Sequence, residues 1–203
     1  MNSMSFVLIN MVINFALMLI FVRFMIQLAQ IDTNMPIARA AYRLTGVVDV
    51  FARIFPTMGK GRISLAAVVL MLLLYFINIA ANTIILGRSM TAIELFFIGS
   101  LSGIMKFLQL LRYTMIASAI SSLLVVFLNI NNSVMFVLMQ LPEPIVAPFR
   151  RFVPNLGMID LSFLAALFSL LLLENFIGII GSYIGADKLG DFRQGKLPCF
   201  YFG

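Results

Sequence analysis

The stretch RRFVPNLGMIDLS, residues 150–162, has a degenerate copy earlier in the chain, ARIFPTMGKGRIS at residues 52–64. The two copies align at a constant offset of 98 residues, which pairs Arg53 with Arg151 and Ser64 with Ser162. A long apolar run lies on each side of each copy. Self-similarity at a fixed offset indicates that one structural unit is used twice. The sequence therefore predicts two repeats, each with two apolar segments joined by a short basic one.

The composition indicates that both repeats lie in a membrane. Of the 203 residues, 62% are hydrophobic and 11% are charged, and the mean hydropathy is +1.07. Soluble domains are roughly half apolar and a quarter charged. Apolar windows of about 20 residues, the length that crosses the hydrocarbon core, lie at residues 6–29, 63–86, 107–129 and 161–183. We therefore expect four transmembrane helices.

The residue inventory excludes most catalytic chemistry. The chain has no His and a single Cys, Cys199. One chain therefore cannot assemble a His/Cys zinc site, a Cys-His nucleophile or a His-dependent serine triad. We expect no catalytic residue, metal site or cofactor, and so a protein that is not an enzyme. The net charge of +6 lies mostly in loops beside apolar runs, as membrane orientation requires, and does not indicate a nucleic-acid partner.

The segment SMTAIELFFIGSLSGIM, residues 89–105, complicates the span count. Joined to the third span it would form about 60 Å of helix, twice the roughly 30 Å of the hydrocarbon core. We favour an interfacial or re-entrant connector that breaks around Gly99 and Gly103, because Glu94 and the glycines weaken a lipid-facing helix. The alternative is a fifth, minimal span that turns at Lys106.

These observations predict an all-α membrane protein with two parallel-oriented repeats. Each repeat has two transmembrane helices joined by an interfacial amphipathic segment, with four spans in all, or five in the alternative. The expected division is a first repeat at 1–88, the connector at 89–106, a second repeat at 107–186 and a polar tail at 187–203.

The two interfacial segments differ in how they are built. In residues 36–56 the side chains of Arg39, Arg43 and Asp49 recur on one face at helical spacing, which predicts an amphipathic helix on the membrane surface. Its counterpart at residues 134–154 contains three further prolines, which remove backbone donors and fix φ. We expect this second segment to be short, stiff and kinked at Pro142, Pro144 and Pro148.

Much of the repeated motif is explained as a mechanical corner. Pro56 and Pro154 end the interfacial segments, Gly59 and Gly157 supply turn conformations, and Asp160 with Ser162 can cap the last span. A corner does not require adjacent arginines. We therefore predict a loop that binds a partner or anionic lipid, formed by Arg53, Arg150, Arg151 and Asp160.

At these residues the chain resembles the YggT family, also called the YlmG type. The second copy, PEPIVAPFRRFVPNLGMIDLS, is similar to the family signature P-x-x-x-P-x-R-R-x-x-P-x-x-G-x-I-D-x-S, with matches at Pro144, Pro148, Arg150, Arg151, Pro154, Gly157, Ile159, Asp160 and Ser162. The first copy departs from it, since Gly46, Val50 and Ala52 replace two prolines and the first arginine. The resemblance implies a multi-pass protein of the bacterial inner membrane that serves division, cytochrome maturation or osmotic adaptation. It implies no agreed reaction.

Four charges lie in or at the edge of the predicted spans: Arg23, Lys106, Arg112 and Glu174. Arg23 is about 9 Å from the end of its helix, so we expect it to snorkel to the headgroups. Glu174 is about 13 Å deep and must be neutral or paired. Arg112 enters from the same side to about 7 Å. The depths predict a contact between Glu174 and Arg112 that joins spans three and four.

Two functions remain from the sequence. The first is a noncatalytic scaffold or assembly factor whose stiff basic loops bind a protein partner or anionic headgroups. The second is a small channel or transporter, acting as a homo-oligomer, with the four intramembrane charges along its path. The excess of Lys and Arg in the two motif loops favours their cytoplasmic placement. Replacing Arg150 and Arg151 should impair a scaffold, whereas replacing Arg112 and Glu174 should impair a channel.

Overall fold

A computed structural model describes residues 3–52, 57–58, 63–85, 91–129, 132–151 and 161–184. The helices within these ranges are α1 (Ser3–Leu28), α2 (Pro36–Leu44), α3 (Val47–Ala52), α4 (Leu65–Ile85), α5 (Ala92–Leu128), α6 (Ser133–Gln140), α7 (Glu143–Val146), the 3-10 helix η1 (Phe149–Arg151) and α8 (Leu161–Ile184). Two-residue strands β1 (Thr57–Met58) and β2 (Ile63–Ser64) pair antiparallel before α4.

The four long helices confirm the predicted membrane architecture. Within the described ranges, α1, α4, α5 and α8 are long and apolar enough to cross a membrane. Large apolar side chains point away from the protein on all four, among them Phe15, Ile77, Leu123 and Phe168. Because about half or more of each of these side chains is left uncovered by the described residues, they fit a lipid solvent.

Helix α5 corrects the prediction for the connector. It runs unbroken for 37 residues, or about 55 Å, so the expected break at Gly99 and Gly103 and the alternative turn at Lys106 are both wrong. Its first turn is closed by a capping box, in which the Thr91 hydroxyl accepts from the Glu94 N–H and the Glu94 carboxylate accepts from the Thr91 N–H. Glu94 therefore starts this helix rather than weakening it.

The two glycines of α5 have a packing role. A Cβ added at Gly99 would overlap the Phe76 ring, and one at Gly103 would lie 3.4 Å from Leu72. Gly99 therefore lets α4 approach closely, whereas a Cβ at Gly103 would make an ordinary van der Waals contact. A glycine inside a helix costs only about 1 kcal/mol relative to alanine. Packing between helices outweighs the weak local preference that suggested a break.

Helix α5 connects the two repeats. It packs on α4, which the two glycines face, and on α8, where Met105 lies beside Gly178. The predicted boundary between residues 106 and 107 therefore lies inside one continuous helix. The other predicted boundaries, at 88–89 and 186–187, lie outside the described residues.

The interfacial segments fold back onto the ends of the spans. In α2, Ala38 and Ala41 are buried while Arg39 and Arg43 are exposed, which confirms the amphipathic pattern. The segment is not the single helix that was predicted, because it divides into α2 and α3 between Leu44 and Val47. The second segment is interrupted as its prolines predict, because α6 ends at Gln140 and the short α7 and η1 follow. Helices α2 and α6 contact each other, so the two segments meet at one end of the bundle.

Candidate functional site

The side chain of Arg23 joins the first interfacial segment to α1. Its Nη1 donates to the Thr45 carbonyl oxygen at 2.7 Å and to the Thr45 hydroxyl at 3.2 Å, and its Nη2 forms an ion pair with Asp49. The Tyr42 ring lies 4.5 Å from the guanidinium carbon. Arg23 is only 4% exposed. The prediction that it snorkels to headgroups is therefore wrong, because α2 and α3 supply its partners.

Tyr42 lies in α2, outside the spans, and responds to the same cluster. Its partial burial raises the pKa of the phenol above the ordinary value of 10.0; the Arg23 charge opposes this shift and the Asp49 charge adds to it. The phenol therefore stays neutral over the physiological range. With Tyr42 neutral, the Arg23–Asp49 pair keeps its charge balance, and α2 and α3 are fixed against the end of α1.

The second interfacial segment forms a braced platform. Val137, Leu141, Pro142 and Val146 are buried, and both α7 and η1 contact α8. Pro144 and Pro148 lie in this same stretch and restrict its backbone to few conformations. The segment is therefore anchored to the membrane helices along one side.

The platform presents the paired arginines at its exposed side. Arg150 forms an ion pair with Glu143, and the two side chains are 42% and 48% exposed. Such exposed pairs contribute at most about 1 kcal/mol, so a partner can replace Glu143 at low cost. Arg151 is exposed and has no ion pair among the described residues. The predicted loop residues Arg53, Pro56, Gly59, Pro154, Gly157 and Asp160 lie outside the described ranges.

The motif serines occupy equivalent places in the two repeats. Ser64 and Ser162 are both buried at the start of α4 and α8. The Ser64 hydroxyl accepts from the Ala67 N–H at 3.3 Å, which is a helix-capping contact. For Ser64 the motif therefore serves the mechanical role that its spacing suggests.

The contact between Arg112 and Glu174 is formed as predicted. The Arg112 Nη1 donates to the Glu174 Oε2 at 2.7 Å, and the side chains are 24% and 9% exposed. The pair joins α5 to α8. Arg23 has its own partners in α2 and α3, so the structure divides the predicted charges between separate contacts. Lys106 is half-buried on α5.

Two features were not found from the sequence. Asn10 of α1 and Asn82 of α4 exchange two amide hydrogen bonds of 3.0 Å, and Asn82 also donates to Asn78 at 2.7 Å. Amide residues at i and i+4 inside an apolar run are the signal that could have indicated this contact. The second feature is a cleft between the repeats, lined by Met35 and by residues from α5 and α6. Its walls come from distant parts of the chain.

The described ranges contain no group of three or more His, Cys, Asp or Glu side chains that could hold a metal ion. Their polar clusters pair arginine with carboxylate or amide with amide, and each joins one helix to another. Such arrangements hold one segment of the chain against another. The geometry is that of two interfacial segments held firmly at one end of a membrane bundle.

Comparisons with known proteins agree with this architecture. The CCB3/YggT family profile matches residues 1–85 and again residues 97–181, one match for each repeat. An uncharacterised protein of Haemophilus influenzae is 30% identical over 86% of this chain and 92% of its own length. A protein of Vibrio alginolyticus, described as uncharacterised and in the proC 3' region, is 31% identical over 91% of this chain and 97% of its own.

A third relative, the uncharacterised protein YggT of Escherichia coli K12, is 28% identical over 80% of this chain and 82% of its own. No solved structure matches the chain. The family profile covers both repeats and almost every described helix, and the first two relatives match over most of both lengths. On this evidence the chain belongs to the CCB3/YggT family.

Proposed function

We propose that this protein is a noncatalytic membrane scaffold, or assembly factor, that presents a stiff basic platform to an acidic segment of a protein partner. The observation that carries the proposal is the bracing of α7 and η1 against α8, which holds Arg150 and Arg151 at the exposed side. Two adjacent guanidinium groups suit bidentate recognition of carboxylates.

The stiffness of the platform favours binding. A loop that is already ordered loses little conformational entropy when it binds, whereas a flexible loop must be fixed at that moment. Pro142, Pro144 and Pro148 restrict the backbone before the arginines, and the buried Val146 anchors it. Glu143 pairs with Arg150 in the free protein, and a carboxylate of the partner can displace this exposed pair at a cost of at most about 1 kcal/mol.

The first repeat supports the same function from the other interfacial segment. Arg23 fixes α2 and α3 against α1, and α2 contacts α6 of the second repeat. The two segments therefore form one composite surface. We propose that this surface faces the cytoplasm of a bacterial cell, because Lys and Arg concentrate in the motif loops. The processes that the family resemblance suggests are division, cytochrome maturation and osmotic adaptation.

The test is photo-crosslinking in the membrane from a benzophenone amino acid at Ala147, which is exposed beside the platform. We expect one protein partner, crosslinked through an acidic segment. Its capture should disappear when Arg150 and Arg151 are both replaced by Ala. The matched control replaces Arg39 and Arg43 by Ala, which removes the same charge from the α2 part of the composite surface. It should leave the capture intact, because the proposed contact of the partner is with the arginines of the platform alone. Capture of lipid alone, or only of a second copy of this chain, would contradict the proposal.

A second candidate function, an oligomeric channel or transporter, has one observation in its favour. Helix α5 carries four buried polar side chains within the apolar bundle: Ser102, Gln109, Ser118 and Ser121. Polar groups inside a membrane span are costly, and they often follow an ion or substrate path. Ion flux into liposomes that depends on Glu174, with Arg150 and Arg151 dispensable, would favour this function over the scaffold.

A further inference from the structure

A cleft of about 380 Å³ lies where the two repeats meet. One wall is Met35, in the connection between α1 and α2. The opposite wall is formed by Val125 near the end of α5 and by Met135, Phe136 and Met139 of α6. The cleft therefore lies at the end of the transmembrane helix α5, beside the connection that follows α1.

The walls of the cleft suit an alkyl chain. Three of the lining side chains are methionines, whose unbranched and polarisable thioethers adapt to irregular apolar ligands. The polar lining residues are Asn132 and Ser133 at the start of α6, and none of the lining residues is charged. A small polar ligand would find few hydrogen-bond partners along such walls.

A positive charge lies beside this apolar cleft. The Arg39 Nη2 is 3.5 Å from the carbonyl oxygen of Asn34, so the guanidinium folds back to the residue that precedes Met35. The acidic side chain nearest in this turn is Asp32, whose Oδ1 accepts from the Asn34 N–H at 3.0 Å. Arg43 lies one helical turn farther along α2 and adds to the positive potential. An apolar cavity with a basic rim is complementary to an anionic amphiphile.

We propose that this cleft binds an anionic phospholipid of the surrounding bilayer. One acyl chain occupies the space between Met35, Met135 and Met139, and the phosphate lies at Arg39. Phospholipid is the occupant because the cleft borders the end of α5 and the connection that follows α1, the depth at which acyl chains meet headgroups. This site is separate from the platform at Arg150 and Arg151, and it does not depend on the proposed scaffold function.

The experiment uses the full chain in nanodiscs with phosphatidylglycerol that carries a photoactivatable diazirine in one acyl chain. The same chain on phosphatidylcholine is the comparison lipid. We expect adducts in the peptide that contains Met135 and Met139, with phosphatidylglycerol favoured about fivefold, the preference that one arginine gives near a membrane surface. Arg39→Gln should reduce this preference to near unity.

Two variants separate the site from general surface charge. Arg43→Gln removes the same charge one turn farther from Met35, and it should retain more than half of the preference. Met139→Trp fills the cleft and should lower the adducts of both lipids at least severalfold, whereas Met139→Leu should retain them. The ratio of the two lipids is measured within each variant, so it does not depend on the yield of folded protein.

Three results would overturn the proposal. The first is adducts spread over the lipid-facing sides of α1 and α8 with none in the cleft peptide. The second is an equal yield from the two lipids in the unmodified protein. The third is loss of preference that is the same for Arg39→Gln and Arg43→Gln, which would indicate attraction by the whole basic surface rather than a site.

Discussion

Replacing Glu174 by Gln tests how the second repeat holds its two spans together. The Arg112 guanidinium donates to the Glu174 carboxylate at 2.7 Å, and the Glu174 side chain is 9% exposed. The Gln variant keeps the size and one acceptor oxygen of the side chain but removes its negative charge. Arg112 then stays positive without a counter-charge, because a guanidinium does not lose its proton in a protein.

The expected cost follows from burial. Removing one partner of a fully buried ion pair destabilises a protein by about 3–5 kcal/mol. The Arg112 side chain is 24% exposed, so its charge is partly solvated, and we expect a loss of about 2–3 kcal/mol for Glu174→Gln. Arg112→Gln should cost less, about 1–2 kcal/mol, because the carboxylate left behind can take up a proton.

The assay is unfolding by SDS in mixed micelles, followed by circular dichroism, for both single variants and the double variant. The pair should show a coupling energy of about 1–2 kcal/mol. The control is the same cycle at Glu143 and Arg150, an exposed ion pair for which we expect less than about 0.5 kcal/mol. Equal coupling at the two pairs, or no loss from Glu174→Gln, would refute the reasoning.

Three further predictions concern other contacts. Arg23→Lys retains the charge but loses the planar fork that reaches Thr45 and Asp49 at once, so it should destabilise the protein by about 1–3 kcal/mol and increase hydrogen exchange in α2 and α3. Unchanged exchange would contradict the role of Arg23 in fixing these helices. Gly99→Val should lower the free energy of unfolding by about 1–3 kcal/mol in the same SDS assay, because the added valine side chain overlaps Phe76. An unchanged unfolding midpoint would contradict close packing at Gly99. Tyr42 has a raised pKa in the folded chain, so its contribution to stability is complete below the ordinary value of 10.0 and is lost as pH rises through the folded pKa. Alkaline titration followed by tyrosine absorbance, compared with Tyr42→Phe, should show one phenol that titrates late. A normal midpoint for Tyr42 would contradict its burial.

The span architecture could be predicted from the sequence because membrane solvent imposes a strict length rule. Apolar runs of about 20 residues gave the helices α1, α4 and α8 nearly to their ends. The course of α5 could not be predicted in this way. Its Gly99, Gly103 and Glu94 favour a break when they are considered alone. In the structure the glycines fit against α4 and the glutamate caps the first turn.

The contacts of the site were predictable only where depth alone decides them. Glu174 and Arg112 enter the bundle from the same side, about 6 Å apart in depth, and Arg23 enters from the other side, so simple helical arithmetic paired them. For Arg23, the sequence was equally compatible with an extended side chain that reaches water at the headgroups. Its real partners, Thr45 and Asp49, become available only when α2 and α3 fold back over α1. The methionine cleft requires the two repeats to be placed side by side, which no local pattern specifies.

The composite surface requires both interfacial segments to lie at the same, cytoplasmic face of the membrane. The measurement is labelling of single cysteines with an impermeant maleimide, in a chain where Cys199 is replaced by Ser. The variants are Asn34→Cys and Ala147→Cys in exposed positions of the two segments, and Thr91→Cys before α5. We predict that the first two react in inside-out vesicles and not in spheroplasts, and that Thr91→Cys shows the reverse. Reaction of the Asn34 and Ala147 variants from opposite sides would contradict the parallel repeats and, with them, the composite surface.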